Sequence, residues 1–214
     1  MKPLTVYFLR HGQSVASRES LFCGAATDAP LTAEGDAMAQ AFASAYRNHP
    51  WTEIVASTQR RAIHTAQPLA LAVGLAVKTD PRWSEIAYGK WEGSSIEQVQ
   101  TNFHDDHLLW SADPALNPPT GGETAIALER RSRAALETIR ERVPSGNVLV
   151  VSHKGTIRAM LCGLLGVEVG RFRQRFSCPV ASVSVVEFGP VGPQLLALAD
   201  RSHLDRSLRE IPGS

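Results

Sequence analysis

The chain has 214 residues, 43% hydrophobic and 20% charged, with 22 Lys+Arg against 21 Asp+Glu and a formal net charge of +1. That balance excludes a disordered chain and a broad nucleic-acid-binding surface, and no apolar run approaches the ~18 residues that span a bilayer. Cys23, Cys162 and Cys178 are too few and too scattered for a disulfide framework or a Cys-x-x-Cys site. They point to reduced thiols in a cytoplasmic protein. The length suits one domain over 1–214.

Residues 4–9 read as a buried strand ending at Arg10-His11, not as a signal peptide, whose apolar run would end at small residues. Residues 32–47 read as a helix with Met38, Ala41, Phe42 and Ala45 on one face. Thr32 is its expected N-cap, and Gly35 stands where a capping box would place Glu. A short strand at 53–56 leads into a helix capped by Ser57, with the stripe Ala62, Ala66, Leu69, Ala70 and Val73. A third strand spans 75–79.

Residues 94–122 break this alternation with Asp113-Pro114, Asn117-Pro118-Pro119 and Gly121-Gly122. They read as a partly helical, lid-like excursion anchored by Phe103 and Trp110. A long helix is expected over 123–143, a continuous buried strand over 147–152 and a helix over 155–165. Strands at 181–188 and 194–199 would form a hairpin about the Gly-Pro-rich 189–193. The tail 200–214 is polar, with an end expected to fray. Strands alternating with helices predict an α/β fold, a three-layer α/β/α sandwich with a mostly parallel central sheet. Such sheets bind ligands beyond the carboxyl ends of their strands.

The residues after those strands therefore carry the chemistry. Arg10-His11-Gly12 follow the first strand, Ser57, Arg60 and Arg61 the second, Arg82 and Glu85 the third, and His153-Lys154-Gly155-Thr156 the fourth. Two histidines, several arginines and one carboxylate suit phosphoryl transfer. Arginine's planar fork matches phosphoryl oxygens, and a helix start near Gly155 adds amide donors and a positive dipole end. A neutral imidazole can attack phosphorus, and a carboxyl group can protonate the leaving oxygen. Arginines and a second histidine can offset the developing charge, so no metal is required.

The segment Leu9-Arg10-His11-Gly12 resembles the signature of the histidine phosphatase superfamily, which includes the cofactor-dependent phosphoglycerate mutases. Residues 28–35, 57–66 and 85–93 are similar to its D-x-P-L-T-x-x-G, S-x-x-x-R-A-x-x-T-A and E-x-x-x-G-x-W-E-G segments. Residues 121–124 and 151–158 resemble G-G-E-S/T and V-S-H-G-G-x-I-R. The six ordered matches run over 9–158.

The resemblance implies a phosphoglycerate mutase-like fold and a small phosphomonoester as partner, with no nucleic acid, membrane, metal or cofactor. It implies His11 as nucleophile, Glu85 as proton donor, and Arg10, Arg61 and His153 as holders of the phosphoryl group. Spacing to Ala62 and Thr65-Ala66 selects Arg61 over Arg60. Gly12 lets the backbone approach closely, and Lys154 sits beside the phosphate. Ser17, Cys23 and Gly24 lie where the loop after the nucleophile borders the substrate, as contacts or as packing.

Three departures from the family pattern matter. Ser17 replaces a common Asn, Phe22-Cys23-Gly24-Ala25 lacks the Trp usual in mutases, and Lys154 replaces Gly. The acid-phosphatase branch has Asp at the Lys154 position, so Glu85 remains as donor. These features favour a phosphatase over a mutase, with a non-catalytic phosphate-binding module as the weaker alternative. His104 and His107 read as part of a polar lid rather than a metal site, and Trp83 and Trp91 as packing. Arg171, Arg173 and Arg175 read as a solvated face with Phe172 and Phe176 inward, or else as a reach toward the substrate's far end.

Overall fold

The computed structural model describes residues 3–213. Met1, Lys2 and Ser214, the ends of the expected first segment and of the polar tail, lie outside the described residues. Strand β1 (Leu4–Arg10) is followed by the single turn α1 (Val15–Arg18) and helix α2 (Ala33–Tyr46). Then come β2 (Trp51–Ala56), α3 (Arg60–Val73) and β3 (Val77–Thr79). The excursion carries α4 (Ile96–Asn102) and α5 (His104–Ala112), and α6 (Ala125–Arg142), β4 (Gly146–Ser152) and α7 (Lys154–Leu165) complete the alternation. A short α8 (Phe172–Arg175), the hairpin β5 (Val183–Gly189) and β6 (Gly192–Asp200), and α9 (Arg206–Arg209) close the chain.

The six strands form one sheet in the order β3-β2-β4-β1-β5-β6. β1, β2, β3 and β4 run parallel, and β5 is antiparallel to both its neighbours. Period-two alternation divides the core between the two faces. Leu4, Val6, Phe8, Val148 and Val150 pack on one side against Leu136 and Ile139 of α6 and Ile157, Met160 and Leu161 of α7. Leu9, Ile54, Leu149 and Val151 pack on the other against Phe42 of α2 and Ala62, Ala66 and Leu69 of α3. Each fully buried side chain of this kind contributes about 1.5–3 kcal/mol. Both sheet faces are covered, which is why these strands read as continuous apolar runs.

Local chemistry corrects some boundaries. The α3 N-cap is Gln59, not Ser57, and Asp28 Oδ1 accepts the first-turn amide of Arg60 at 2.8 Å. The tail is docked: Leu204 is buried with Met38 and Val180, and Pro212 O accepts a bond from Gln13 Nε2 at 2.5 Å. Apolar Leu204, Leu208 and Ile211 hold it at helical spacing against α2. In the excursion, Val99 and Trp110 are buried with Trp91, and Phe103 packs against them. Asp106 Oδ2 accepts from the Thr120 amide and hydroxyl at 2.8 and 2.6 Å, so it ties α5 to the loop beyond. Among the described residues no helix is long and apolar enough to cross a membrane.

Gly35 occupies the Glu position of a capping box for a steric reason. Thr32 Oγ1 caps its amide at 3.0 Å, and a Cβ there would lie 2.0 Å from Gln13 O. A Cβ on Gly12 would lie 2.4 Å from Gly35 O, so the loop after β1 and the first turn of α2 touch backbone to backbone. Gly35→Ala is expected to cost about 1–3 kcal/mol, a Tm fall of roughly 3–10 °C by thermal denaturation. Gly189→Ala, whose Cβ meets nothing within 4 Å, should leave Tm nearly unchanged. Equal Tm values for the two variants would refute the close-approach argument.

Candidate active site

Arg10 pairs with Ser152 across β1 and β4, so His11 and His153 leave the sheet side by side. Their ring centroids are 5.1 Å apart. β2 ends level with β4, Ala56 opposite Val151, and delivers Arg61 from the first turn of α3. Arg10, His11, Arg61 and Glu85 border a cavity of about 300 Å³ at the carboxyl edge of the parallel strands, with His153 buried against His11.

The two imidazoles are buried, His11 at 5% exposure and His153 at 0%. Burial pushes both well below the ordinary value of 6.5, and Arg61 and Arg10 push them further. Both rings are therefore neutral at pH 7. His11 Nδ1 lies 2.7 Å from Gly12 O, and a carbonyl only accepts, so Nδ1 carries the proton. That leaves a lone pair on Nε2. His153 has the opposite tautomer: Nδ1 accepts from Arg61 Nε at 3.3 Å, so Nε2 carries the hydrogen. The Nε2 of His153 is buried and has no partner among the described residues.

Arg61 is 1% exposed and is held by carbonyls. It donates to Thr27 O at 2.8 Å and to Cys23 O and Gly24 O at 3.3 Å each. Arg10, 3% exposed, donates to Cys178 O at 2.7 Å and to Gly213 O at 3.3 Å. Arg60 instead lies on the surface against Asp28, and Arg82 pairs with Asp80 at 2.7 Å away from the cavity. The structure thus gathers Arg61 but neither Arg60 nor Arg82.

Glu85 reaches the start of α7. Its Oε2 accepts from the Gly155 amide at 3.0 Å, and Oε1 from the Thr156 amide and hydroxyl at 3.1 and 3.2 Å. A Cβ on residue 155 would lie 2.6 Å from Oε1, so Gly155 makes room for the carboxylate. The Glu85 backbone is gripped by Gln59 Oε1 at 3.1 Å and by Arg131 Nη2 at 3.0 Å.

The loop residues differ from expectation in detail. Ser17 and Cys23 line the cavity, but Ser17 Oγ donates to Ser14 O at 3.0 Å within a capping box. Its proton is therefore engaged away from a phosphoryl oxygen. The Gly12 amide donates to Thr65 Oγ1 at 3.0 Å, and the Gly24 amide to Glu92 Oε2 at 2.9 Å. Both glycines are therefore structural, not amide donors to a ligand. Lys154 lines the cavity, half-buried, and is pushed down to about 8, first by burial and then by Arg10 and Arg158.

Sequence reading missed two groups, Glu92 and Gln59, and did not single out Arg173 from the cluster it offered. Glu92 organises the loop that carries Gly24 and Thr27, accepting from Thr27 Oγ1 at 2.6 Å. Gln59 joins Gly24 O, Thr27 O and the Glu85 amide. Arg173 lines the cavity with its guanidinium 3.9 Å from the Trp110 ring centroid, while Arg171 and Arg175 are exposed. Glu92 stands in the W-E-G segment, so position alone pointed to it. Nothing in the sequence separates Arg173 from its neighbours.

A model described as "Histidine phosphatase superfamily (branch 1)" matches residues 6–201. Phosphoserine phosphatase 1 of Hydrogenobacter thermophilus is 31% identical over 196 residues, 92% of each chain. A probable phosphoglycerate mutase of Yersinia enterocolitica is 32% identical over 94% of this chain and 95% of its own. The solved mycobacterial glucosyl-3-phosphoglycerate phosphatase in complex with VO3 superposes with a TM-score of 0.84. It is 26% identical, and the alignment covers 92% of this chain and 99% of that one.

The depressed imidazoles have a stability consequence. In the unfolded chain they titrate near 6.5, and in the folded chain well below it. The unfolded state then binds more protons on the acid side, so stability falls as pH drops through about 6.5. Each group contributes at most about 1.4 kcal/mol per pH unit. His203, pushed down to about 4 by burial, adds the same sign. Tm should fall from pH 7 to pH 5, and the slope should be shallower in His153→Asn. An identical slope in the variant would remove His153 as its source.

Proposed function

The chain belongs to the histidine phosphatase superfamily, and on that premise we propose that it hydrolyses a small phosphomonoester through a phosphohistidine intermediate, without a metal. The observation that carries this reading is the fixed tautomer of His11 beside His153, Arg10, Arg61 and Glu85. His11 Nε2 offers its lone pair to phosphorus in line with the ester oxygen. The P–O bond breaks toward the leaving oxygen, which takes the proton of Glu85 in its acid form and departs as an alcohol. Water then attacks phosphorus, Glu85 takes its proton, and the N–P electrons return to His11 as phosphate leaves.

The roles of the neighbours follow from their hydrogens. Arg10, Arg61 and the Nε2–H of His153 hold the phosphoryl oxygens. These donors face charge that grows on the equatorial oxygens in a desolvated site. His11 becomes cationic when phosphorylated, and Gly12 O then stabilises its Nδ1–H. The three unpaired cysteines fit a reducing cytoplasm, and an overall charge of +1 fits a small metabolite rather than a nucleic acid as partner.

Similarity to a probable phosphoglycerate mutase supports one second reading, in which phosphohistidine passes its group to a second hydroxyl instead of water. Hydrolysis is preferred because Lys154 replaces the usual Gly and the segment Phe22-Cys23-Gly24-Ala25 lacks the mutase Trp.

Phosphate release from a panel of phosphomonoesters, phosphoglycerates included, tests the reading. His11→Ala should keep its circular dichroism spectrum and lose turnover by on the order of 10³-fold or more. A folded His11→Ala protein with full activity would end the assignment. EDTA should leave the wild-type rate unchanged, and loss reversed by a divalent cation would overturn the metal-free mechanism. Interconversion of 2- and 3-phosphoglycerate without phosphate release would establish the mutase instead.

A further inference from the structure

The cavity carries more positive charge than one phosphoryl group requires. Five cations line it, Arg10, Arg61, Lys154, Arg158 and Arg173, against the single carboxylate of Glu85. A phosphate dianion offsets only two of those charges. Arg61 and Arg158 are already committed, Arg61 to loop carbonyls and His153, Arg158 to Phe176 O at 2.5 Å and Arg173 O at 3.2 Å.

Lys154 and Arg173 are different. Both are half-buried, and neither side chain makes a hydrogen bond or an ion pair with a described residue. The Arg173 guanidinium sits over Trp110, 3.9 Å from the ring centroid, a contact that holds the cation in place without using its N–H donors. Lys154 stands one turn before Arg158 on α7, so the two share a face and repel. Half-buried cations crowded this way repel one another, and an anion that joins them offsets that repulsion. Apolar and aromatic side chains, Phe22, Tyr88 and Trp110, line the same cavity. A short carbon stem fits that wall.

We infer that Lys154 and Arg173 form a second anion subsite, which selects phosphomonoesters whose alcohol carries a carboxylate or a second phosphate. The inference rests on the phosphatase reading above and narrows its substrate. Lys154 acts at the near side, beside the phosphoryl edge, and Arg173 at the far side, across the aromatic wall. Both are specificity residues that bind the leaving group.

An isosteric pair of esters tests this directly. 3-Phosphoglycerate and glycerol 3-phosphate differ only in a carboxylate against a hydroxymethyl group. Propane-1,3-diol bisphosphate supplies the second-phosphate arm, and p-nitrophenyl phosphate reports the bare phosphatase. Wild-type kcat/KM should favour at least one of the two esters with a second anionic group over glycerol 3-phosphate by about tenfold or more, and the better arm identifies that group. Lys154→Gln and Arg173→Gln should each shrink that ratio several-fold, mainly through KM, and Arg173→Lys should retain more of it than Arg173→Gln. Equal kcat/KM for all three aliphatic esters, with p-nitrophenyl phosphate turned over, would overturn the subsite alone. So would variants that lose equally on the charged and neutral esters. No release from any of the four compounds would overturn the phosphatase reading and the subsite with it.

Discussion

Two guanidinium groups are buried at one edge of the sheet, and a buried cation must find acceptors. Arg10 and Arg61 are 3% and 1% exposed. Charges taken from water at such depth are tolerated only when their N–H groups are satisfied. The surrounding chain supplies the oxygens: the carbonyls of Cys23, Gly24 and Thr27 for Arg61, and those of Cys178 and Gly213 for Arg10. Loops 23–28 and 178–182 and the docked tail are shaped around these two side chains. Glu92 and Gln59 then hold the loop that presents the carbonyls. Much of the irregular structure is thus the solvation shell of two arginines, built from protein.

That shell sets the state of the histidines. Guanidinium groups kept desolvated beside imidazoles make a third and fourth positive charge costly, so both rings stay neutral. Neutrality alone would leave the tautomer open. Gly12 O decides it for His11 by accepting from Nδ1, and Arg61 Nε decides it for His153 by donating to Nδ1. The pair is left with a lone pair on His11 Nε2 and a hydrogen on His153 Nε2, on rings 5.1 Å apart. Glu85 completes the group because α7 begins there with amides that need an acceptor, and because Gly155 leaves no side chain in its way. In this phosphatase one helix start serves two purposes, placing His153 as its N-cap residue and anchoring the carboxylate.

The same electrostatics separates what the site needs for chemistry from what it needs for selection. Arg10, Arg61 and His153 are accounted for by the phosphoryl group. Lys154 and Arg173 line the same cavity beside Phe22, Tyr88 and Trp110, with Arg173 over the Trp110 ring. One of the four parallel strands, the edge β3, leads through its following turns to Glu85 and Tyr88 at the cavity, while Arg82 in that turn is spent on Asp80.

The alternation of strands and helices, the layered sheet and the identities of His11, Arg61, Glu85 and His153 were all legible in the chain itself. They rest on local information: apolar periodicity, and side chains that follow strands by a fixed few residues. Arg61 was separable from Arg60 because only Arg61 falls on the arginine of the S-x-x-x-R-A-x-x-T-A segment that residues 57–66 resemble. What tertiary structure alone decided was which polar groups face the cavity and which are consumed before they reach it. The amides of Gly12 and Gly24 go to Thr65 and Glu92, and the Ser17 proton goes to Ser14. Thr65 lies 53 residues from Gly12, and Glu92 lies 68 from Gly24. Gly35 likewise reads as a poor capping residue until the loop after β1 is laid against it. Arg173 reads as one arginine among three until Trp110 is brought beneath it from the excursion. A hydrogen bond or a steric contact between distant segments leaves no periodic trace in sequence, because it depends on where two chains cross rather than on how either repeats.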